Sequence, residues 1–237
     1  MKKFFLNNIL ERTLILFIFL FSLSINQYYG NRGIFPIDSF SHFDTGFRIL
    51  LGEHPFKDYW IISGPIIDYL QAIFFYIFGV NWQSYILHAS VLNAVLALST
   101  FFLLKNFKLN IYLCFFYSIS ISILAYPSSG TPFTDHHAAF FSLLSVYVLI
   151  LGIKSENKFY WILLPFLFVF AFLSKQVPSS YVAIYTILVL LTYSLVNKKF
   201  YWIKYSLFSV AFIIFFIIFF SLYKNINLNY FLNQYIF

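Results

Sequence analysis

Most of this chain is a succession of long apolar runs, separated by short segments that carry lysine. An apolar run that crosses a bilayer must satisfy its own backbone N–H and C=O groups, which helices do along their length. Seven runs read as membrane-crossing helices, over residues 14–25, 85–104, 111–126, 138–151, 161–173, 181–196 and 205–223. Composition agrees with that reading. Of the residues, 61% are apolar and only 10% charged, where a soluble domain carries about 25% charge. So few charges cannot cover one domain with a wetted surface, and a bilayer is the solvent that suits them. The fold class is therefore all-α, a polytopic membrane protein with about seven transmembrane helices. The net charge of +7 is sparse and dispersed, which argues against nucleic acid as a partner. The single Cys114 lies in an apolar run and offers no disulfide framework or thiolate metal site.

The domain layout follows from the runs. Residues 1–12 form a basic cytoplasmic head, and the first helix is retained, because no small-x-small cleavage pattern follows it. Residues 28–84 are a first outer loop, 85–223 hold six further spans in the same single domain, and 224–237 are an outer tail. Within the loop, Phe43, Phe47, Leu50 and Leu51 recur as on a short amphipathic helix lying on the membrane surface. Gly52 and Pro55 end it. Residues 64–79 are apolar but short and interrupted by Asp68 and Gln71, so they read as an interfacial or re-entrant helix. With an inside amino terminus and 64–79 not crossing, ten of the 15 basic residues fall in inner segments, as the positive-inside rule expects. Were 64–79 to cross, every later loop would change sides. The same layout puts Asp38, Asp44, Glu53, Asp58, Asp68 and Asp135 outside, with all five histidines at or near that face. The expected location is the plasma (inner) membrane, with the active face extracytoplasmic.

Three polar clusters carry the candidate chemistry. The first loop holds Asp38, His42, Asp44, Arg48 and Asp58. A carboxylate there suits a general base or a cation ligand, although a lone loop acid ordinarily only solvates its loop. Asp38 and Asp44 are six residues apart, offset rather than stacked on one helix, and both stay open as the key carboxylate. His42 is four residues beyond Asp38 and shares its face. Tyr126 to His137 form the second cluster. Thr134 or Asp135 suits a helix cap, while Asp135 with His137 suggests an oxygen and nitrogen site for a divalent cation such as Mg or Mn. No HExxH-type zinc spacing occurs. The third is Ser174-Lys175-Gln176, at an outer helix end. There a lysine either snorkels to the interface or meets a lipid phosphate.

The order of these features resembles the amino-terminal membrane module of the C-type glycosyltransferase superfamily, which includes the protein mannosyltransferase and aminoarabinose transferase branches. Asp38 lies fourteen residues before Gly52. Gly64-Pro65 then enters the interfacial segment, Phe78-Gly79 closes it, and Ser174-Lys175-Gln176 takes the place of a Thr-Lys-Gly. Ser39 stands where relatives carry a second acid, and Gln176 where they carry glycine. The resemblance covers the layout of 14–223, and relatives are roughly twice as long, so a fragment, a split product or a minimal form is expected. It implies sugar transfer from a polyprenyl-phosphate donor to a lipid, glycan or protein acceptor. Asp38 or Asp44 would act on the acceptor hydroxyl. Lys175 and Arg48, with Asp58 and His42, would contact the donor, and Asp135 stands where relatives place an acceptor or metal contact. A truncated or non-catalytic subunit, a lipid-linked glycan polymerase or ligase, and a transporter are the rival readings.

Overall fold

The computed structural model describes the backbone of residues 2–33, 38–61 and 63–236, with side chains from residue 9 onward except those of residues 38 and 39. Among the described residues the chain is helical, without a strand. Six helices are long and apolar enough to cross a membrane. They are α1 (Lys2–Gly30), α4 (Trp82–Asn106), α5 (Ile111–Leu124, continued by a turn to Ser128), α6 (Thr134–Ser155), α8 (Gln176–Asn197) and α9 (Tyr201–Lys224). Shorter helices are α2 (Asp38–Leu50), α3 (Ile66–Phe78), α7 (Lys158–Phe172) and α10 (Leu228–Phe231). Asparagine side chains start several of them. Asn81 accepts from the Ser84 amide at 2.9 Å, Asn110 from Tyr112 at 2.9 Å and Asn157 from Phe159 at 3.0 Å, each satisfying an amide that has no partner inside the helix.

The expectation of seven spans needs a physical qualification at α7. Its 15 residues extend about 22 Å at 1.5 Å per residue, short of the roughly 30 Å of hydrocarbon. Helical hydrogen bonding nonetheless continues past its end, from Ser174 N–H to Phe170 C=O (3.0 Å) and from Lys175 N–H to Ala171 C=O (3.1 Å). Pro165 sits inside α7 and leaves the carbonyl of Trp161 without its helical donor. The Ser206 hydroxyl on α9 donates to that carbonyl at 3.1 Å, and Ser209 donates to Ile162 C=O at 2.8 Å. Neighbouring helices repair such defects where no water can. By contrast, α3 has 13 residues, about 20 Å, and is too short to cross.

The chain forms two compact units, residues 1–44 with 73–133, and residues 45–72 with 134–237. In the first, α1, α4 and α5 pack through Ile18, Ala97, Phe101 and Cys114. Two buried asparagines join them. Asn93 donates to Ser22 C=O (3.1 Å) and Ser122 C=O (3.0 Å), and Asn26 to Ser90 Oγ (2.9 Å) and Gly130 C=O (3.1 Å). Interhelical amide bonds of this kind hold helices together where lipid removes the hydrophobic drive. The first apolar run, 14–25, stops short of Asn26, whereas the helix α1 continues to Gly30.

In the second unit α6, α7, α8 and α9 run between the same two ends. One end carries an ion pair of Lys199 with Glu156. The other carries a pair of Lys175 with Asp135, so α7 spans the distance that α6 spans. The core lies between them, with Trp161, Val148, Leu149, Leu164 and Leu190 buried together. Within the expected tail, 224–237, Leu228–Phe231 form α10 and Leu232–Ile236 a π turn, and Tyr235 is buried against Phe56 and Ile61.

Candidate functional site

The Asp135 end of the second unit gathers two of the clusters expected from sequence. A helix that stops leaves its last carbonyls without donors, and α7 stops at Phe172. Each carbonyl from Phe172 to Gln176 nonetheless has one. Phe172 C=O accepts from the Tyr235 hydroxyl. Leu173 C=O accepts from Ile66 N–H at 3.2 Å, and Ser174 C=O from Gly64 N–H at 3.1 Å. Lys175 C=O accepts from Ser179 Oγ at 2.8 Å and Gln176 C=O from Ser180 Oγ at 2.9 Å. The Ser63-Gly64-Pro65 turn, expected only to lead into α3, is thus hydrogen-bonded to the α7–α8 turn. Glycine is required there: a Cβ at Gly64 would fall on the Leu173 carbonyl and lie 2.7 Å from the Tyr235 hydroxyl.

On this framework Lys175 precedes the first residue of α8 in an extended conformation. Its ammonium donates to Asp135 Oδ1 at 2.5 Å, with the side chains 45% and 50% exposed. Asp135 lies in the first turn of α6, which begins at Thr134, so its carboxylate serves the ion pair rather than a cap position. A pair this exposed gains little from Coulomb attraction and opens readily. The position can therefore exchange one anion for another.

The first-loop residues of this unit are largely committed to local structure. Arg48 pairs with Glu53 at 3.2 Å and lies 5.7 Å above the Tyr59 ring. Asp58 accepts from the His54 amide at 2.8 Å and closes the 54–58 turn. His54 is buried, stacks on Tyr69, and shares a 3.2 Å hydrogen bond with its hydroxyl. Burial pushes the His54 imidazole below the usual histidine range, and the nearby Lys224 and Lys57 ammonium groups push the same way against Asp58. Burial, then Asp68 and Asp58, raises the Tyr69 phenol, so Tyr69 is the donor to a neutral His54. Lys57 caps the end of α9, donating to Lys224 C=O at 3.3 Å. Asp68 and Gln71, the polar interruptions of the 64–79 segment, point into the protein. Both are buried, Asp68 accepts from Thr45 Oγ1 at 2.6 Å, and Gln71 packs under Gly46.

Asp38, His42 and Asp44 belong to the first unit. Asp38 opens α2, and its carboxylate lies outside the described side chains. His42 is buried and Asp44 exposed. The metal expectation at Asp135 and His137 meets a poor donor set. His137 is buried with its ring against Phe141, while Asp135 is half exposed and holds an ammonium. Among the described residues no three His, Cys, Asp or Glu side chains group as cation ligands.

The model of the dolichyl-phosphate-mannose-protein mannosyltransferase family matches residues 54–223. The chain belongs to this family. No curated protein and no solved structure matches it. As a mannosyltransferase-family protein with long apolar helices, it is a multi-pass membrane protein of a glycosyltransferase class. The matched span includes Gly64, Asp135 and Lys175 but begins after Asp38, His42, Asp44 and Arg48. Sequence reasoning missed Tyr235, which lies beyond that span. Its only signal was one aromatic residue among 19 tyrosines.

Proposed function

We propose that this protein transfers a sugar from a polyprenyl-phosphate donor to an acceptor hydroxyl at the extracytoplasmic face. The observation that carries the reading is Lys175, half exposed at a fully hydrogen-bonded turn and paired with Asp135 where solvent reaches both side chains. Beyond it, Tyr181, Ile184, Tyr185 and Leu188 expose an apolar stripe along α8. A lipid tail lies beside that stripe in the bilayer while its phosphate reaches the ammonium. The excess of inner lysines supports placing this end outside.

In the transfer, the acceptor oxygen attacks the anomeric carbon as the bond from that carbon to the phosphate oxygen breaks. The bond's electron pair leaves with the polyprenyl phosphate, and the hydroxyl proton passes to a carboxylate, Asp38 or Asp44. Lys175 stabilises the charge that grows on the leaving phosphate, an effect worth about 10²- to 10³-fold in kcat for a well-placed donor. Arg48, Asp58 and His42 would each contact the donor, as the family resemblance implies. The test is a transfer assay in membranes with a lipid-linked sugar. Asp38→Asn should abolish turnover and Lys175→Ala should lower kcat by about 10²- to 10³-fold, each while inserting normally. Unchanged turnover in Asp38→Asn removes that carboxylate and leaves Asp44→Asn as the comparison. Unchanged turnover in Lys175→Ala refutes the phosphate site. EDTA tests the divalent-cation expectation separately.

A further inference from the structure

We propose that Tyr235 and Gln176 are positioning residues of this phosphate site, clamping the α7–α8 turn so that the Lys175 ammonium stays where a phosphate arrives. The inference rests on the function proposed above. Lys175 is a long, flexible side chain, and holding its ammonium in place costs rotamer entropy. A backbone already fixed on both sides reduces that cost on binding.

Two layers fix it. Gly64 and Ile66 bind the carbonyls of Ser174 and Leu173 from one side. From the other, the Tyr235 hydroxyl donates to Phe172 C=O, and the Gln176 side-chain amide donates to Tyr235 C=O. Tyr235 is itself held by ring contacts with Phe56, Phe172 and Phe231. Gln176 is the position where the resembling motif carries glycine, and a glycine has no side chain to make this bond. Tyr235, the residue Gln176 reaches, lies outside the span the family model covers. The departure from the motif and the segment that answers it are thus two ends of one contact. Burial also raises the Tyr235 phenol, so the hydroxyl stays protonated and remains a donor.

The full chain in lipid nanodiscs, titrated with a short-chain polyprenyl monophosphate and with the uncharged polyprenol, tests this. Tyr235→Phe and Gln176→Ala should each weaken monophosphate binding about fivefold, the cost of ordering on binding one long side chain that the clamp no longer pre-orders. Binding of the uncharged polyprenol should hold, and the unfolding midpoint should drop only slightly, as for any single lost hydrogen bond. A variant that weakens both ligands alike shows a merely structural role and overturns the proposal. So does unchanged monophosphate binding in both variants while Lys175→Ala loses it. If Lys175→Ala itself binds monophosphate normally, the phosphate site is wrong, a failure distinct from that of the clamp. Should Tyr235→Phe fail to fold, Gln176→Ala decides, because it leaves the aromatic cluster whole.

Discussion

Replacing Gly64 with alanine tests the junction on which the candidate site stands. The added methyl would meet backbone, the carbonyl group of Leu173, with the Tyr235 hydroxyl 2.7 Å away. A side chain can rotate aside, but this carbonyl belongs to a turn bonded at every position. Accommodation therefore requires the 64–66 segment to lift off. That breaks the bonds from Gly64 N–H to Ser174 C=O and from Ile66 N–H to Leu173 C=O. Two net hydrogen bonds are worth about 2 kcal/mol, and forced overpacking adds about 1 kcal/mol or more. A total near 3 kcal/mol corresponds to roughly a hundredfold change in an opening equilibrium. Hydrogen exchange resolved at the amides of Gly64 and Ile66 should report that loss of protection. Gly33→Ala is the control, since a Cβ at Gly33 meets nothing within 4 Å. Equal protection in Gly64→Ala and the parent chain would refute the reasoning, because it would mean the two turns are not locked together.

Other consequences are open to measurement. Ser206→Ala should lower the thermal midpoint by removing the donor to Trp161 C=O, at a cost of about 1 kcal/mol. In a Pro165→Ala background the new amide can bond the same carbonyl, so the cost of Ser206→Ala should shrink, and a double-mutant cycle measures the coupling. His54 is held below the ordinary histidine value by burial and by Lys224 and Lys57. The unfolded chain then binds a proton that the folded chain refuses, so stability is whole above about pH 6.5 and falls as the pH drops below it. His54→Gln should flatten that acid-side decline in a pH series of thermal midpoints. An unchanged slope would remove His54 as its source.

The membrane class, the approximate number of crossings and a helix within residues 64–79 too short to cross were legible in the sequence. Each rests on solvent: hydrocarbon tolerates helices of a certain length and few charges, and this holds whatever the helices pack against. The family resemblance was legible in the order of Gly64-Pro65, Phe78-Gly79 and Ser174-Lys175-Gln176, and the family match confirms it. Less of the candidate site was visible. Lys175 and Asp135 each stood out as unusual residues at a helix end, yet nothing in a spacing of 40 residues pairs them. The sense of Arg48 and Asp58 also changed with their partners, since each serves a neighbouring residue in its own loop.

By itself, the sequence determined where helices begin and cross, because capping asparagines, Gly and Pro breaks and apolar length act locally along the chain. Only the tertiary structure decided which helix ends meet. It brought Gly64 against Ser174, set Asp135 against Lys175, and folded Tyr235 back onto Phe172. Those contacts form because carbonyls at the end of α7 need donors, and any segment that reaches them in space can supply one. Which segment does so depends on packing across long stretches of chain, and no local pattern of residues records it.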